Sequence, residues 1–254
     1  MISNETIDLS VYIVREVKAL FKNPAILWST GKDSTAMLGI IKDALGEIPF
    51  DVVFIETGFD FPEIIEFRDR VVKEMGLRLV IAKNEKANVT YKESREMCCT
   101  QRKTWALRDI IALNKYDAVF VGIRRDEQEI RNKERYISPR DKDFRWDFNN
   151  QPLELVGWHI IFSDYEGADH VRVHPMLHWT QLDVWEYIKE RNLPVNPLYF
   201  KGYTSIGCYP CSFATQKTVK SVDEIIERVK TGVKERQGRL QDSMMEKLRY
   251  LGYM

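Results

Sequence analysis

"ILWSTGKDSTAML", Ile26–Leu38, sets an apolar run against a short polar turn and then a second apolar stretch with helical spacing. A strand that feeds a helix through a small, glycine-containing turn is the opening unit of an α/β fold. Lysine beside glycine in that turn suggests phosphate. A Walker A loop, however, needs G-x-x-x-x-G-K-[ST], and here aspartate follows Lys32 and no glycine stands five residues before Gly31. What remains is a strand, "STGKDS", and a helix.

The turn nonetheless has the construction of an anion cradle. Amides of a first helical turn have no partner inside the helix, and the helix dipole adds positive potential there. Gly31 lets backbone come close to a ligand, Ser29 and Ser34 offer hydroxyls, and Lys32 offers a mobile charge. The simpler reading is an ordinary strand-to-helix turn capped by Asp33 or Ser34.

Working outward, apolar periodicity alternates strands with helices. Ala25–Trp28, Asp51–Ile55, Leu79–Ala82 and Ala118–Gly122 read as strands; Ser34–Leu45, Pro62–Met75 and Lys103–Leu113 read as helices. Continuous apolar strands between helices imply a mostly parallel sheet covered on both faces. From Arg124 to about Gly167 the period is lost, and a stretch this long is either a solvated loop or a functional one. Order resumes with Val171–His174 and a helix from about Thr180 to Arg191. The tail opens at Ser221 with "SVDE", a capping-box pattern, and its stripe of Val222, Ile225, Ile226 and Val229 predicts a helix packed on the body or on a second subunit.

The chain has 254 residues, 44% of them hydrophobic, which is enough for a substantial core. Its 38 lysines and arginines balance 38 aspartates and glutamates, so any anion site is a local arrangement rather than an overall field. The N-terminus carries acids where a secretion signal has a basic leader, and no window approaches the roughly 20 apolar residues of a membrane helix. A cytoplasmic protein without membrane association is the expectation. In that compartment the four cysteines serve as thiolate ligands or redox groups rather than disulfides.

Those cysteines fall in two clusters, Cys98–Cys99 in "EMCCTQRK" and Cys208–Cys211 in "IGCYPCS". Four thiolates suit tetrahedral zinc or an iron–sulfur cluster, and buried unligated thiols are a third reading. A C-x-x-C half-site favours zinc, whereas an adjacent pair is awkward for it. Arg102 and Lys103 sit beside the pair and suit an anion or the charge of a cluster. Arg124 and Arg125 follow the fourth strand directly, where an arginine fork grips phosphate or sulfate; alternatively they are surface residues paired to Asp126 and Glu127. Arg131, Lys133, Arg135, Arg140 and Arg145 form either an anion-gripping lid or a soluble loop. Glu56, Asp60 and Asp126 are weak candidates for Mg²⁺. His174 and His178 read as packed or surface residues, and Trp179 and Trp185 as core.

"STGKDS" resembles the S-G-G-x-D-S signature of the PP-loop ATP pyrophosphatases, with Thr30 in place of the first glycine. "ETGFDFPEIIEFRD" (Glu56–Asp69) is similar to the T-G-x-x-F-P-E segment of the phosphoadenylylsulfate (PAPS) reductase superfamily. "GIRRDEQEIRNKER", "RVHPMLHWTQLDVWEYI" and "NPLYFKGYTSIGCYPC" continue that order, so the resemblance spans roughly residues 24–215. It implies an adenine nucleotide alpha hydrolase-like fold: α/β, doubly wound, with a mostly parallel sheet. Residues 1–215 would be the nucleotide-binding domain with the iron–sulfur site, and 216–254 a C-terminal helical tail.

The resemblance places ATP or a sulfonucleotide on Ser29, Thr30, Gly31, Lys32, Asp33, Ser34, Thr57, Gly58 and Gly122, with Lys32, Arg124 and Arg125 catalytic. The arginine segment and "RWD" look like the small, ATP-cleaving subunit of bacterial ATP sulfurylase. The cysteines look like the 4Fe–4S ligands of adenylylsulfate reductases, which makes Cys98, Cys99, Cys208 and Cys211 the expected ligands, with zinc as the alternative. The reductases also need a nucleophilic cysteine in the tail, and "GRLQDSMMEKLRYLGYM" contains none. The expected activity is therefore Mg²⁺-assisted cleavage of ATP at the α-phosphate with pyrophosphate release. The acceptor would be sulfate, or an oxygen activated for sulfur insertion as in DNA phosphorothioation or tRNA thiolation. Adenylylsulfate or PAPS reduction with a thiol in trans, and a non-catalytic nucleotide and cluster sensor, are the alternatives. Expected partners are a second copy of the chain and a sulfur-transfer or GTPase protein; direct nucleic-acid contact is left open.

Overall fold

The computed structural model describes residues 2–141, 143–146, 168–240 and 242. Six strands form one sheet in the order β3-β2-β1-β4-β6-β5. They are β1 (Pro24–Leu27), β2 (Asp51–Ile55), β3 (Arg78–Ala82), β4 (Ala118–Val121), β5 (Ile137–Arg140) and β6 (His170–Val173). All neighbours are parallel except the edge strand β5, which runs antiparallel to β6. The order reverses at β1, as expected of a doubly wound sheet, and the crevice between β1 and β4 is the switch point at which such sheets take ligands.

The helices are α1 (Asn4–Leu20), α2 (Lys32–Leu45), α3 (Pro62–Met75), α4 (Arg95–Cys99), α5 (Ala106–Asn114), α6 (Gln181–Glu190) and α7 (Val222–Lys230). Pro62 opens α3, where its missing N–H costs nothing, and Gly46 and Gly76 end α2 and α3 in left-handed backbone. A π-helical turn, Thr100–Trp105, joins α4 to α5, so the predicted helix at 103–113 extends back to the cysteine pair. Helix α1 lies in the stretch read above only for the lack of a leader; Ser3 caps it, and Ile7, Ile13, Val14 and Val17 bury one face. Trp179 and Trp185 are buried in the core, as expected.

Two open alternatives are decided by the structure. The apolar stripe of α7 packs on the body, the first of the two expectations, because Ile225 and Ile226 join the core of their own chain and α7 packs on α6. The stretch after Arg124 is not a solvated loop in its described part. Arg131, Glu134 and Arg140 are buried there, and β5 completes the sheet edge. Residues 147–167, the rest of that stretch and the end of "RWD", and the tail from 243 onward lie outside the described residues. Among the described residues no helix is long and apolar enough to cross a membrane.

Candidate active site

The carboxyl ends of β1, β2 and β4 open into a cleft of about 1030 Å³, counting its mouth. Ser29, Gly31, Asp33, Ser34, Thr57 and Gly122 line it, as the sequence reading groups them. The loop is tied to itself: the Ser29 amide donates to Ser34 Oγ at 3.2 Å, and Ser34 Oγ donates to the Gly31 carbonyl at 3.1 Å. The Lys32 amide is already taken by the Tyr199 hydroxyl at 2.9 Å. Left-handed backbone falls on Thr30, with φ of 61°, where the PP-loop signature has its first glycine. A β-branched side chain is strained there, and burial plus a 3.4 Å contact from the Asn196 amide hold it. Gly58 turns the chain in the same left-handed region just after Thr57, whose amide and hydroxyl donate to Asp60.

Lys32 and Arg124 are not where the reading above puts them. Neither faces the cleft; both are buried, Arg124 completely, in a network of carboxylates. Lys32 Nζ donates to Asp33 at 2.7 Å and to Glu235. Arg124 meets three acids at once, Asp126 through Nε at 2.9 Å and Asp33 and Glu235 through its two terminal nitrogens. Asp126 also accepts from the Gln181 amide at 2.7 Å, in the first turn of α6.

Burial alone would raise the Glu235 carboxyl, but Arg124 and Lys32 outweigh it and hold it below its ordinary value. Burial lowers the Lys32 ammonium, with Arg124 adding to the effect against the pull of Glu235. Glu235, shared between two cations, therefore stays a carboxylate at neutral pH. A carboxyl lowered on folding contributes stability that is complete above its unfolded value of 4.5 and is lost as pH falls below it. The melting temperature should therefore fall as pH drops below about 4.5, and thermal scans of Glu235→Gln should show a shallower fall than the native chain.

Arg125 does not form a fork with Arg124. Its guanidinium lies over the Tyr136 ring, 5.3 Å from the centroid, and donates to the Glu134 carbonyl at 3.3 Å. The proposed lid arginines divide likewise. Arg140 is buried against Glu134 at 3.0 Å, Arg131 pairs with Glu127, and Arg145 is exposed beside Asp143. Glu56 faces Arg68 and Lys83. His174 and His178 donate to the Arg135 and Thr6 carbonyls, which makes them packing residues as expected.

The cations that do line the cleft are Lys103, Arg131, Arg236 and Arg239. Arg236, Arg239 and Glu235 come from the tail, which the sequence reading treated only as a helix. Their one signal is "ERQGR" itself, a glycine among charges where α7 has already ended.

Cys98, Cys99, Cys208 and Cys211 line a second, tight pocket, joined there by Arg95, Arg102 and Lys103. Burial and the neighbouring thiols push Cys98 up to about 11, and burial raises Cys99 and Cys211 as well. Four thiols at one cavity do not ionise together without a cation between them, so the donor chemistry fits a thiolate-bound metal centre. Among the described residues no group of three or more histidine, cysteine or acidic side chains is placed so that it could hold a metal ion, so the fit is one of donor chemistry and not of position. Cys208 and Lys103 line both cavities, so the cysteine site forms one wall of the cleft.

A profile of the phosphoadenosine phosphosulfate reductase domain matches residues 23–214. The chain belongs to this family. Within it, sulfate adenylyltransferase subunit 2 of Saccharophagus degradans is 35% identical, the match covering 96% of this chain and 94% of that one. The subunit 2 of Geotalea uraniireducens is also 35% identical, over 96% and 95% of the two chains. In fold the chain is similar to the PAPS reductase of Candida auris, with a TM-score of 0.61 at 18% identity over 86% of this chain and 98% of that one. It is also similar to the FMN adenylyltransferase of Candida glabrata, with a TM-score of 0.62 at 16% identity over 98% and 83%. The PAPS reductase family fold thus carries more than one reaction, and the side chains of the cleft must decide between them.

Proposed function

We propose that this chain cleaves ATP between its α and β phosphates and transfers the adenylyl group to sulfate, as the nucleotide-binding subunit of a sulfate adenylyltransferase. The observation that carries the reading is the cleft at the β1–β4 switch point, with the Ser29–Ser34 loop as its floor and Lys103, Arg131, Arg236 and Arg239 around it. A sulfate oxygen attacks the α-phosphorus, the bond to the bridging oxygen breaks, and pyrophosphate leaves with the electron pair. Loop amides and the Ser29 and Ser34 hydroxyls hold the pyrophosphate, Mg²⁺ arrives with ATP, and the rim cations offset charge on sulfate and phosphate. Such a displacement needs positioned cations and no covalent nucleophile, in keeping with a chain whose four cysteines all line one pocket. The relatives' designation as subunit 2 is the ground for proposing a partner subunit. The test is pyrophosphate release from ATP with and without sulfate, in the presence of that subunit. Release matched by adenylylsulfate and dependent on sulfate is expected; release indifferent to sulfate would overturn the choice of acceptor.

We place a 4Fe–4S cluster on Cys98, Cys99, Cys208 and Cys211, on the likeness of these four to the adenylylsulfate reductase ligands. When bound, it supplies a redox-active centre at the wall of the cleft. Anaerobically purified protein should contain about four iron and four sulfide per chain, and Cys211→Ser should lose them. Stoichiometric zinc without sulfide would replace the cluster with a structural metal. One observation favours a second reading: Cys208 lines the nucleotide cleft itself. Reduction of a sulfonucleotide by a thiol donor in trans would release sulfite without consuming ATP, and a sulfite assay separates the two.

A further inference from the structure

The five residues Glu235–Arg239 run as a strap between the two sites. At one end the Glu235 carboxylate is buried, with one oxygen on Lys32 and the other on Arg124. At the other end the Phe213 amide donates to the Gly238 carbonyl at 3.0 Å, and Arg239 makes an antiparallel bridge with Ser212, beside Cys211. The contact at Gly238 is close, since a Cβ there would stand 2.4 Å from the Phe213 carbonyl oxygen. Arg239 donates to Ser205 Oγ at 3.0 Å and to the Ile206 carbonyl at 2.6 Å. Arg236 forks onto Asp242 at 2.6 and 2.7 Å and reaches Glu127. Both arginines line the cleft.

We infer that Glu235 is a positioning residue: its carboxylate, clamped between Lys32 and Arg124, fastens the 235–239 strap across the nucleotide cleft and so sets Arg236 and Arg239 on the rim. The chemistry requires a glutamate. Glutamine would turn an N–H toward one of two buried cations, and aspartate is a methylene too short to reach both. The same carboxylate stands between Lys32 and Arg124, which otherwise share only Asp33. The consequence for catalysis rests on the reading that the cleft takes ATP; the fastening does not.

The test measures amide hydrogen exchange and the binding of a non-hydrolysable ATP analogue in the full chain. In Glu235→Gln without nucleotide, strap amides should exchange at least about tenfold faster while those of β1 and β4 stay protected. The analogue should bind roughly tenfold more weakly, and the KM for ATP should rise more than kcat falls. Gly238→Ala loosens the strap from its other end without touching the buried charges and should act in the same direction; it decides the matter if Glu235→Gln does not fold. Native exchange in either folded variant overturns the proposal. So does tighter analogue binding by Glu235→Gln, which would make the carboxylate a competitor of phosphate for the two cations. If the native chain fails to bind the analogue, the ATP reading falls, while strap exchange still reads the fastening.

Discussion

Gly122→Ala should lower kcat/KM for pyrophosphate release by about a hundredfold and the melting temperature by roughly 2–12 °C. A Cβ at this position would stand 2.9 Å from the Asp33 carbonyl carbon and 3.0 Å from the Ser34 amide nitrogen. Both are backbone atoms in the first turn of α2, which no side-chain rotation can move. Retreat on the other side is blocked as well, because Val121 is paired in register with Leu27 of β1. The methyl therefore displaces the cradle against the sheet. Overpacking of this kind costs about 1–3 kcal/mol, and a shift approaching an ångström in a site that works by positioning costs about two decades of rate.

Gly31→Ala is the control. Gly31 has φ of −75°, and a Cβ there would meet nothing nearer than Ser29 Oγ and the Tyr199 hydroxyl at 3.4 Å. The fold should tolerate it, so any loss of nucleotide binding would report the approach of the ligand itself. Calorimetry and a pyrophosphate assay on both variants separate the two effects. A Gly122→Ala protein with native melting and native turnover would show that loop and strand are less closely seated than these distances require.

The contrast between these two glycines shows what a single sequence carries. The strand, turn and helix around Gly31 were legible because periodicity and turn chemistry are local, and the same holds for Pro62–Met75, whose bounds the structure reproduces. Gly122 was legible as part of a motif, but its steric reason was not, since that depends on which strand lies beside the loop. The cysteines could be grouped because two short motifs carry them all. Of the network around Arg124 only the pairing with Asp126 was legible, as an alternative; Asp33 and Glu235 were hidden because only the fold brings them to it. A charge in sequence looks solvated until its partner is known, which is why Lys32 read as mobile and Arg140 as part of a lid. Edge strand β5 was missed for a related reason: "ISPR" buries its arginine against Glu134, so its burial does not follow its hydropathy.

Removal of Arg124 should have the largest effect on the fold. Its side chain is fully buried, and each of its three nitrogens meets a different carboxylate: Asp126, Asp33 and Glu235. Arg124→Met keeps much of the volume but leaves Asp33 and Glu235 to Lys32 alone, and Asp126 to the Gln181 amide. Breaking a buried ion pair from one side costs about 3–5 kcal/mol, because the partner charge stays behind without compensation. At roughly 2–4 °C per kcal/mol for a chain of this size, the melting temperature should fall by about 6–20 °C. Arg124→Lys should recover little, since an ammonium is a point charge and cannot present three divergent donors. The double variant Arg124→Met, Glu235→Gln removes one of the stranded carboxylates. It should be more stable than the sum of the single effects allows, by about 1–3 kcal/mol in a denaturant cycle. Strict additivity would mean that Arg124 and Glu235 do not share a desolvated contact, and the tail would then owe its place to Gly238 and Arg239 alone.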